Sequence, residues 1–140
     1  PISAFLGTNE VMELFTPGSH GSTFGGNPLA AAVALEAIAT LIDEKLVQNS
    51  QLLGKHLKTS LEALKSPVIQ EIRGKGLWIG MDLAPNYLTA RKMCEDLLKQ
   101  GVLSKETHHT VVRLAPPLII TKKELDDVII IIKNIIKAYQ

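Results

Sequence analysis

The chain reads PGSHGSTFGGNPLAAA from Pro17 to Ala32, a glycine-rich loop that leads into a helix. Asn27 is typical of an N-cap, because its side-chain oxygen can accept a hydrogen bond from a free amide of the first turn. Pro28 suits the first helical position, where no N–H is needed. The glycines before the helix allow backbone conformations that other residues avoid, and Ser22 and Thr23 stand among them. Such a loop can hold an anion such as a phosphate, although a flexible surface connection has the same composition.

This loop resembles the signature of a known enzyme family. The string HGSTFGGNPLA, from His20 to Ala30, is similar to that of class III (ω-type) aminotransferases, which use pyridoxal 5'-phosphate (PLP). Two further stretches agree with the family, RGKGL at 73–77 and KETH at 105–108 followed by VRLAPPL at 112–118. The pair Thr107-His108 shortly before Arg113 resembles ornithine aminotransferases more than acetylornithine aminotransferases. The resemblance covers essentially the whole chain.

The resemblance implies a fold and a domain organisation. The expected fold class is α/β: residues 1–40 would be the last segment of the large PLP-binding domain of a fold type I (aspartate-aminotransferase-like) enzyme, and residues 41–140 its small C-terminal domain. In this family the lysine that forms the Schiff base with PLP would lie upstream of Pro1. The chain is therefore expected to be the C-terminal part of a longer polypeptide, to contain no catalytic residue of its own, and to be inactive by itself.

The resemblance also implies roles for individual residues. Ser22 and Thr23 would donate hydrogen bonds to the phosphate of the PLP bound by the neighbouring subunit, so that a homodimer shares its active sites. Arg113 would receive the carboxylate of the amino-acid or 2-oxo-acid substrate. The implied reaction moves the δ-amino group of ornithine to 2-oxoglutarate through PLP, giving glutamate semialdehyde and glutamate. An acetylornithine or 4-aminobutyrate aminotransferase, or a non-enzymatic anion-binding α/β module, remains an alternative.

Composition excludes several other classes of protein. Fifteen basic and 14 acidic residues leave a formal charge of +1, which gives no electrostatic reason to expect nucleic acid or a membrane surface as a partner. No apolar run approaches the roughly 20 residues that span a bilayer. The single cysteine, Cys94, excludes an internal disulfide and is compatible with a reducing compartment, so a cytoplasmic location is expected, or the mitochondrial matrix in a eukaryote. The adjacent His108 and His109 have no metal-ligand spacing around them and are expected to be loop residues. The family resemblance implies that His108 lies near the active site.

Hydrophobic periodicity predicts the elements of the first half. Pro1–Leu6 is expected to end a buried strand, and Asn9–Phe15 to form a brief helix. The helix from Pro28 to Ile42 is apolar on nearly all sides, which predicts that other protein buries it, either between domains or at a subunit interface, or within a self-contained core. An amphipathic helix with leucines at helical spacing follows and ends before Pro67.

The second half alternates strands and helices. A β-hairpin is predicted from Val68–Arg73 and Leu77–Leu83 around the turn Gly74-Lys75-Gly76, with Lys75 as a solvated turn lysine. Alternate residues of its second strand are apolar and should be buried: Leu77, Ile79, Met81 and Leu83. The next helix should stop at Gly101 and bury one apolar face, which consists of Ala90, Met93, Cys94, Leu97 and Leu98. Short strands are then expected at Val102–Leu103 and Thr110–Ala115. A capping box at Thr121 and Glu124 favours a final helix, although its β-branched run at 128–132 could also form a strand. Together these elements predict a small sheet covered by helices on one face.

Arg113 is the most informative residue after the loop. A guanidinium among Val111, Val112 and Leu114 is costly unless a carboxylate satisfies it, and its planar fork suits a carboxylate in bidentate geometry. From the residues alone, a structural ion pair and a substrate contact are both open.

Overall fold

The structure, a computed structural model, describes residues 2–140 and divides the chain into two compact units. The N-terminal unit is Pro1–Glu44 and the C-terminal unit is Lys45–Gln140. The sequence placed a domain boundary near residue 40, and the assignment of the two parts to a cofactor domain and a small domain stays a prediction. None of the helices within residues 2–140 is both long and apolar enough to cross a membrane.

The N-terminal unit contains two helices, α1 (Asn9–Met12) and α2 (Pro28–Asp43). The predicted start of α2 is confirmed, because the Asn27 side chain accepts a hydrogen bond from the Ala30 amide at 2.8 Å. Helix α1 is shorter than predicted, and its N-cap residue Thr8 makes no side-chain capping bond. The strand predicted for Pro1–Leu6 is wrong for residues 2–6, which have no strand beside them to complete a ladder, while Pro1 lies outside the described residues.

Helix α2 is apolar on nearly all sides, as the sequence indicated, and none of its residues is buried. Leu29 is 75% exposed and Leu35 is 71% exposed. Exposed apolar surface of this kind marks a site of contact with other protein. Its burial between domains or subunits stays a prediction.

The C-terminal unit is a four-stranded antiparallel sheet covered by three helices. Its elements are α3 (Leu46–Glu62), β1 (Ile69–Lys75), β2 (Trp78–Leu83), α4 (Ala90–Lys99), β3 (Lys105–Thr107), β4 (Val111–Leu114) and α5 (Lys122–Lys137). The strand order is β1-β2-β4-β3. Helix α3 contacts β1 and β2, α4 contacts β3 and β4, and both contact α5. The predicted α/β sandwich is therefore confirmed.

The core lies between one face of the sheet and the helices. Ile79, Met81 and Leu83 alternate along β2 and are almost fully buried, so the predicted apolar face of the hairpin is confirmed. Helix α5 contributes its apolar stripe to the same core and begins with the predicted capping box, in which the Glu124 amide donates to the Thr121 hydroxyl at 3.2 Å. The run of isoleucines that could also have formed a strand is helical, because the cap fixes the helix start and the stripe continues at helical spacing.

Three details of the C-terminal unit differ from the expectations. Lys75 still pairs with Trp78, so the hairpin turn is Gly76-Leu77 and Lys75 ends a strand. Val102–Leu103 is not a strand, because the Val102 amide donates to the Leu97 carbonyl and closes the end of α4 instead. Leu98 was expected on the buried face of α4 but is 58% exposed.

Candidate functional site

Arg113 lies on the sheet face opposite the helices. Val112 and Leu114, its neighbours in β4, are buried on the helical side, and the alternation of a strand turns Arg113 outward to solvent. The apolar neighbours in sequence therefore do not bury the guanidinium. Within residues 2–140, Arg113 makes no ion pair and no side-chain hydrogen bond, so its guanidinium remains available to a ligand.

Basic residues form a row across this outward face of the sheet. Arg113 pairs with Gly80 of β2 and with Lys105 of β3, and Gly80 pairs in turn with Arg73 of β1. Directly paired residues project to the same side of a sheet. The absence of a side chain at Gly80 leaves an open space between Arg73 and Arg113.

That open space is part of a pocket of about 450 Å³. The polar and aromatic side chains that line it are Arg73, Lys75, Trp78, Thr107, His108 and Arg113. None of its lining residues carries a carboxylate, so the pocket is electropositive and suited to an anion.

The charges in this pocket are not equally available. Arg73 donates to Glu71 at 2.6 Å and to Asp82 at 3.2 Å, and hydrogen bonds to Asp82 and Glu71 raise the pKa of its guanidinium. Lys75 and Arg113 make no ion pair among the residues that the structure describes. Arg113 is therefore the guanidinium in the pocket that is free for a carboxylate.

His108 enters the pocket from the turn between β3 and β4. His108 and His109 both have left-handed backbone conformations, with φ of 51° and 61°. The His108 carbonyl accepts from the Thr110 amide at 2.7 Å, and the His109 carbonyl accepts from the Ala90 amide at 3.2 Å. The prediction that both are loop histidines is confirmed. His108 and Arg113 line one pocket, in keeping with the position near the active site that the family resemblance implies for His108.

A tight turn in the N-terminal unit presents Ser22 and Thr23. The Gly25 amide donates to the Ser22 carbonyl at 3.4 Å, and a Cβ at Gly25 would lie 2.9 Å from the Ser22 Cβ, so only glycine fits there. Gly26 has a φ of 72°, which again favours glycine. Neither hydroxyl of Ser22 or Thr23 takes part in a hydrogen bond within residues 2–140. The turn therefore presents two exposed hydroxyl donors, an arrangement that suits an anion.

Other candidate groups have no such arrangement. Cys94 is buried, and burial raises the pKa of its thiol, so it is inert as expected. No cluster of three or more metal-ligating side chains occurs among residues 2–140. A larger groove of about 630 Å³ runs between α3 and the hairpin. Its charged lining residues are Lys55, Lys58 and Lys75, and no arginine lines it.

Solved structures show which class of protein has this fold. The chain is similar to "ornithine delta-aminotransferase" of Plasmodium falciparum, with a TM-score of 0.88 and 39% identity over 96% of this chain and 35% of that one. It is also similar to acetylornithine aminotransferase of Elizabethkingia anophelis, with a TM-score of 0.84 and 42% identity over 96% of this chain and 36% of that one. The C-terminal unit thus has the fold of the C-terminal portion of fold type I PLP-dependent aminotransferases.

Sequence comparison narrows this class to one family. The family model for aminotransferase class-III matches residues 1–136. Among curated proteins, ornithine aminotransferase of Staphylococcus epidermidis is 54% identical over 135 residues, which are 96% of this chain and 33% of that protein. The chain belongs to the class III aminotransferase family. It spans about a third of the length of the curated relatives it matches.

Proposed function

We propose that this chain is part of an ornithine aminotransferase, which transfers the δ-amino group of ornithine to 2-oxoglutarate and gives glutamate semialdehyde and glutamate. The observation that carries the proposal is the free guanidinium of Arg113 in a pocket that contains no carboxylate. Two relatives named ornithine aminotransferase are 54% and 51% identical to this chain, and they support ornithine as the amine donor. The reaction belongs to amino-acid metabolism and would connect arginine and proline.

In this proposal Arg113 binds and orients the carboxylate of the substrate. A guanidinium can donate two parallel hydrogen bonds to a carboxylate, which fixes both the position and the direction of the molecule. Holding the substrate in one geometry lowers the entropic part of the barrier to reaction. The outward face of the sheet supplies the rigid support for this contact.

Ser22 and Thr23 would hold the phosphate of PLP. Their two hydroxyls are presented by a turn that favours glycine at positions 25 and 26. They suit an oxyanion that accepts several hydrogen bonds. When bound, PLP supplies the electron sink that the amino-group transfer requires. We propose that these hydroxyls reach the cofactor of a neighbouring subunit, so that the enzyme is a homodimer. The exposed apolar surface of α2 supports burial against other protein.

We also propose a cytoplasmic location, supported by a single cysteine that is buried and unpaired. Neither a nucleic acid nor a membrane is proposed as a partner, since the formal charge of +1 provides no attraction to either.

The function is tested on the full-length protein that contains this chain. We expect kcat/KM for ornithine to exceed the values for N-acetylornithine and 4-aminobutyrate by about 100-fold or more, with 2-oxoglutarate as acceptor. A preference for N-acetylornithine, the substrate named for the Elizabethkingia relative, would replace the proposal with that activity.

The same assay tests the role of Arg113. Because Arg113→Ala removes a charged partner of the carboxylate, we expect KM for 2-oxoglutarate to rise about 100-fold. Arg91→Ala is the matched control, because Arg91 pairs with Glu95 and Glu106 on the surface and does not line the pocket. Equal effects of the two substitutions would contradict the assignment.

A further inference from the structure

The pocket around Arg113 contains a second side chain that could bind the same anion. His108 lines this pocket and also lines a neighbouring one, and its imidazole makes no side-chain hydrogen bond within residues 2–140. The other charged side chains that line the Arg113 pocket are Arg73, Lys75 and Arg113 itself, and all three are cationic. Its imidazole therefore meets no carboxylate in this pocket.

The other side of His108 offers no free anion either. The charged and titratable groups that line the neighbouring pocket with it are Arg91, Lys105, Glu106 and His109. Glu106 is the carboxylate of this group, and it already accepts from Arg91 at 3.1 Å and from Lys105 at 3.3 Å. The imidazole of His108 thus makes no side-chain hydrogen bond within residues 2–140, and it lines the same pocket as the unpaired guanidinium of Arg113.

The turn explains how His108 is held in this place. Two consecutive non-glycine residues with positive φ are costly, and the turn is held by backbone hydrogen bonds on both sides, from Thr110 to His108 and from Ala90 to His109. The bond at His109 ties the turn to the first residue of α4. His108 is therefore fixed with respect to β4, which carries Arg113.

We infer that His108 is a specificity-determining residue, whose imidazole donates a second hydrogen bond to the carboxylate held by Arg113. This inference rests on the proposed function. Its ligand class is a short carboxylate, in particular the 2-oxo acid that accepts the amino group.

The test compares two histidines of one turn in the full-length protein. His108→Asn and His109→Asn both keep a residue type that tolerates the left-handed conformation, so the turn is preserved in each. We expect His108→Asn to raise KM for 2-oxoglutarate and Kd for glutarate, an unreactive dicarboxylate, by about 10-fold, the value of one hydrogen bond to a charged group. The kcat with saturating acceptor should change little. His109→Asn should leave all three values within about twofold, because His109 does not line the Arg113 pocket.

A second variant separates this role from a structural one. His108→Gly also keeps the turn and removes the side-chain donor outright, so it should lose at least as much affinity as His108→Asn. Equal effects of the Asn substitutions at 108 and 109, or unchanged glutarate binding, would each overturn the inference.

Failure of the proposed function has a different signature. If the full-length protein prefers another amine donor, or transaminates none, glutarate binding measured by calorimetry still reports on His108. A weaker Kd in His108→Asn than in His109→Asn would then support the inference without the ornithine activity.

Discussion

At the scale of single residues, the hydroxyls of Ser22 and Thr23 depend on a neighbour with no side chain. The turn closes with the Gly25 amide on the Ser22 carbonyl, and a Cβ at Gly25 would collide with the Ser22 side chain. Because neither hydroxyl is used within residues 2–140, removal of one should not disturb the turn. It should weaken only the binding of a ligand.

Thr23→Ala in the full-length protein should therefore loosen PLP without unfolding the loop. Loss of one hydrogen bond to a charged phosphate predicts a Kd for PLP about 10-fold to 100-fold higher, measured by the absorbance of cofactor retained after dialysis. Thr23→Ser should restore retention. Thr8→Ala serves as the control, since the Thr8 side chain makes no capping bond. Unchanged affinity in Thr23→Ala would show that this hydroxyl does not contact the phosphate.

Residue types and local context predicted some of these positions but not all. The N-cap at Asn27 followed from chemistry within four residues, and the structure confirms it. Arg113 has apolar neighbours in sequence, but strand alternation points its side chain away from the core. The burial predicted for Leu98 failed for a related reason. Leu98 lies at the edge of the apolar face of α4 and remains exposed. Exposure depends on what packs against an element, which the local sequence does not contain.

At the scale of elements, α3 holds the hairpin that carries part of the pocket. The Leu77 amide donates to the Ser50 hydroxyl at 3.1 Å, which ties the turn of the hairpin to the helix. A Cβ at Gly54 would lie 2.0 Å from the carbonyl oxygen of Gly76, so the helix and the turn are in direct backbone contact. Any side chain at position 54 must push the two elements apart.

Gly54→Ala should therefore loosen the hairpin. We expect a local destabilisation of about 3 kcal/mol from overpacking against backbone that cannot move aside. Hydrogen exchange measures it directly, and the amides of Ile69–Leu83 should exchange about 100-fold faster. Thr59→Ala, on an exposed position of the same helix, should leave these rates unchanged. Slow exchange in Gly54→Ala would mean that the helix and turn separate at little cost.

The elements themselves were largely predictable, and their ends were not. Periodicity and caps predicted the hairpin, α4 and α5, because these signals lie within one element. The turn at Gly76-Leu77 and strand β3 were missed, because each depends on pairing with a strand distant in sequence. Local patterns could not bring Arg73, His108 and Arg113 together, since that cluster arises from the strand order β1-β2-β4-β3, and only the family resemblance placed His108 and Arg113 at one site.

At the scale of the whole molecule, ion pairs on the surface make the free energy of unfolding depend on pH in the acidic range. The Glu106 carboxylate accepts hydrogen bonds from the backbone amide of Glu106 and from Arg91, and these bonds lower its pKa from an ordinary 4.5 to about 2. Bonds from Lys92, Tyr139 and Lys99 lower the pKa of Asp96, and bonds from Lys122 and His56 lower that of Asp126. A carboxylate with a lowered pKa contributes stability above its ordinary pKa, and that contribution is lost as the pH falls toward the folded value.

Stability should therefore decline as the pH falls from about 4.5 to about 2, and Glu106→Gln should reduce the decline. The glutamine cannot be protonated in this range, so the variant is less stable near neutral pH but loses less in acid. Urea midpoints measured across this range test the prediction. Glu62→Gln is the control, because the Glu62 carboxylate lies 3.8 Å from Lys58 on the surface of α3. Parallel acid profiles for Glu106→Gln and the unchanged protein would contradict it.

The composition of the outward sheet face has an optical consequence. The chain contains a single tryptophan, and Trp78 lies in the wall of the Arg113 pocket with 67% of its surface exposed. All indole fluorescence of these 140 residues therefore originates in the wall of the pocket that contains Arg113. A ligand that displaces water from this wall shifts the emission to shorter wavelength, so the pocket contains its own reporter of occupancy.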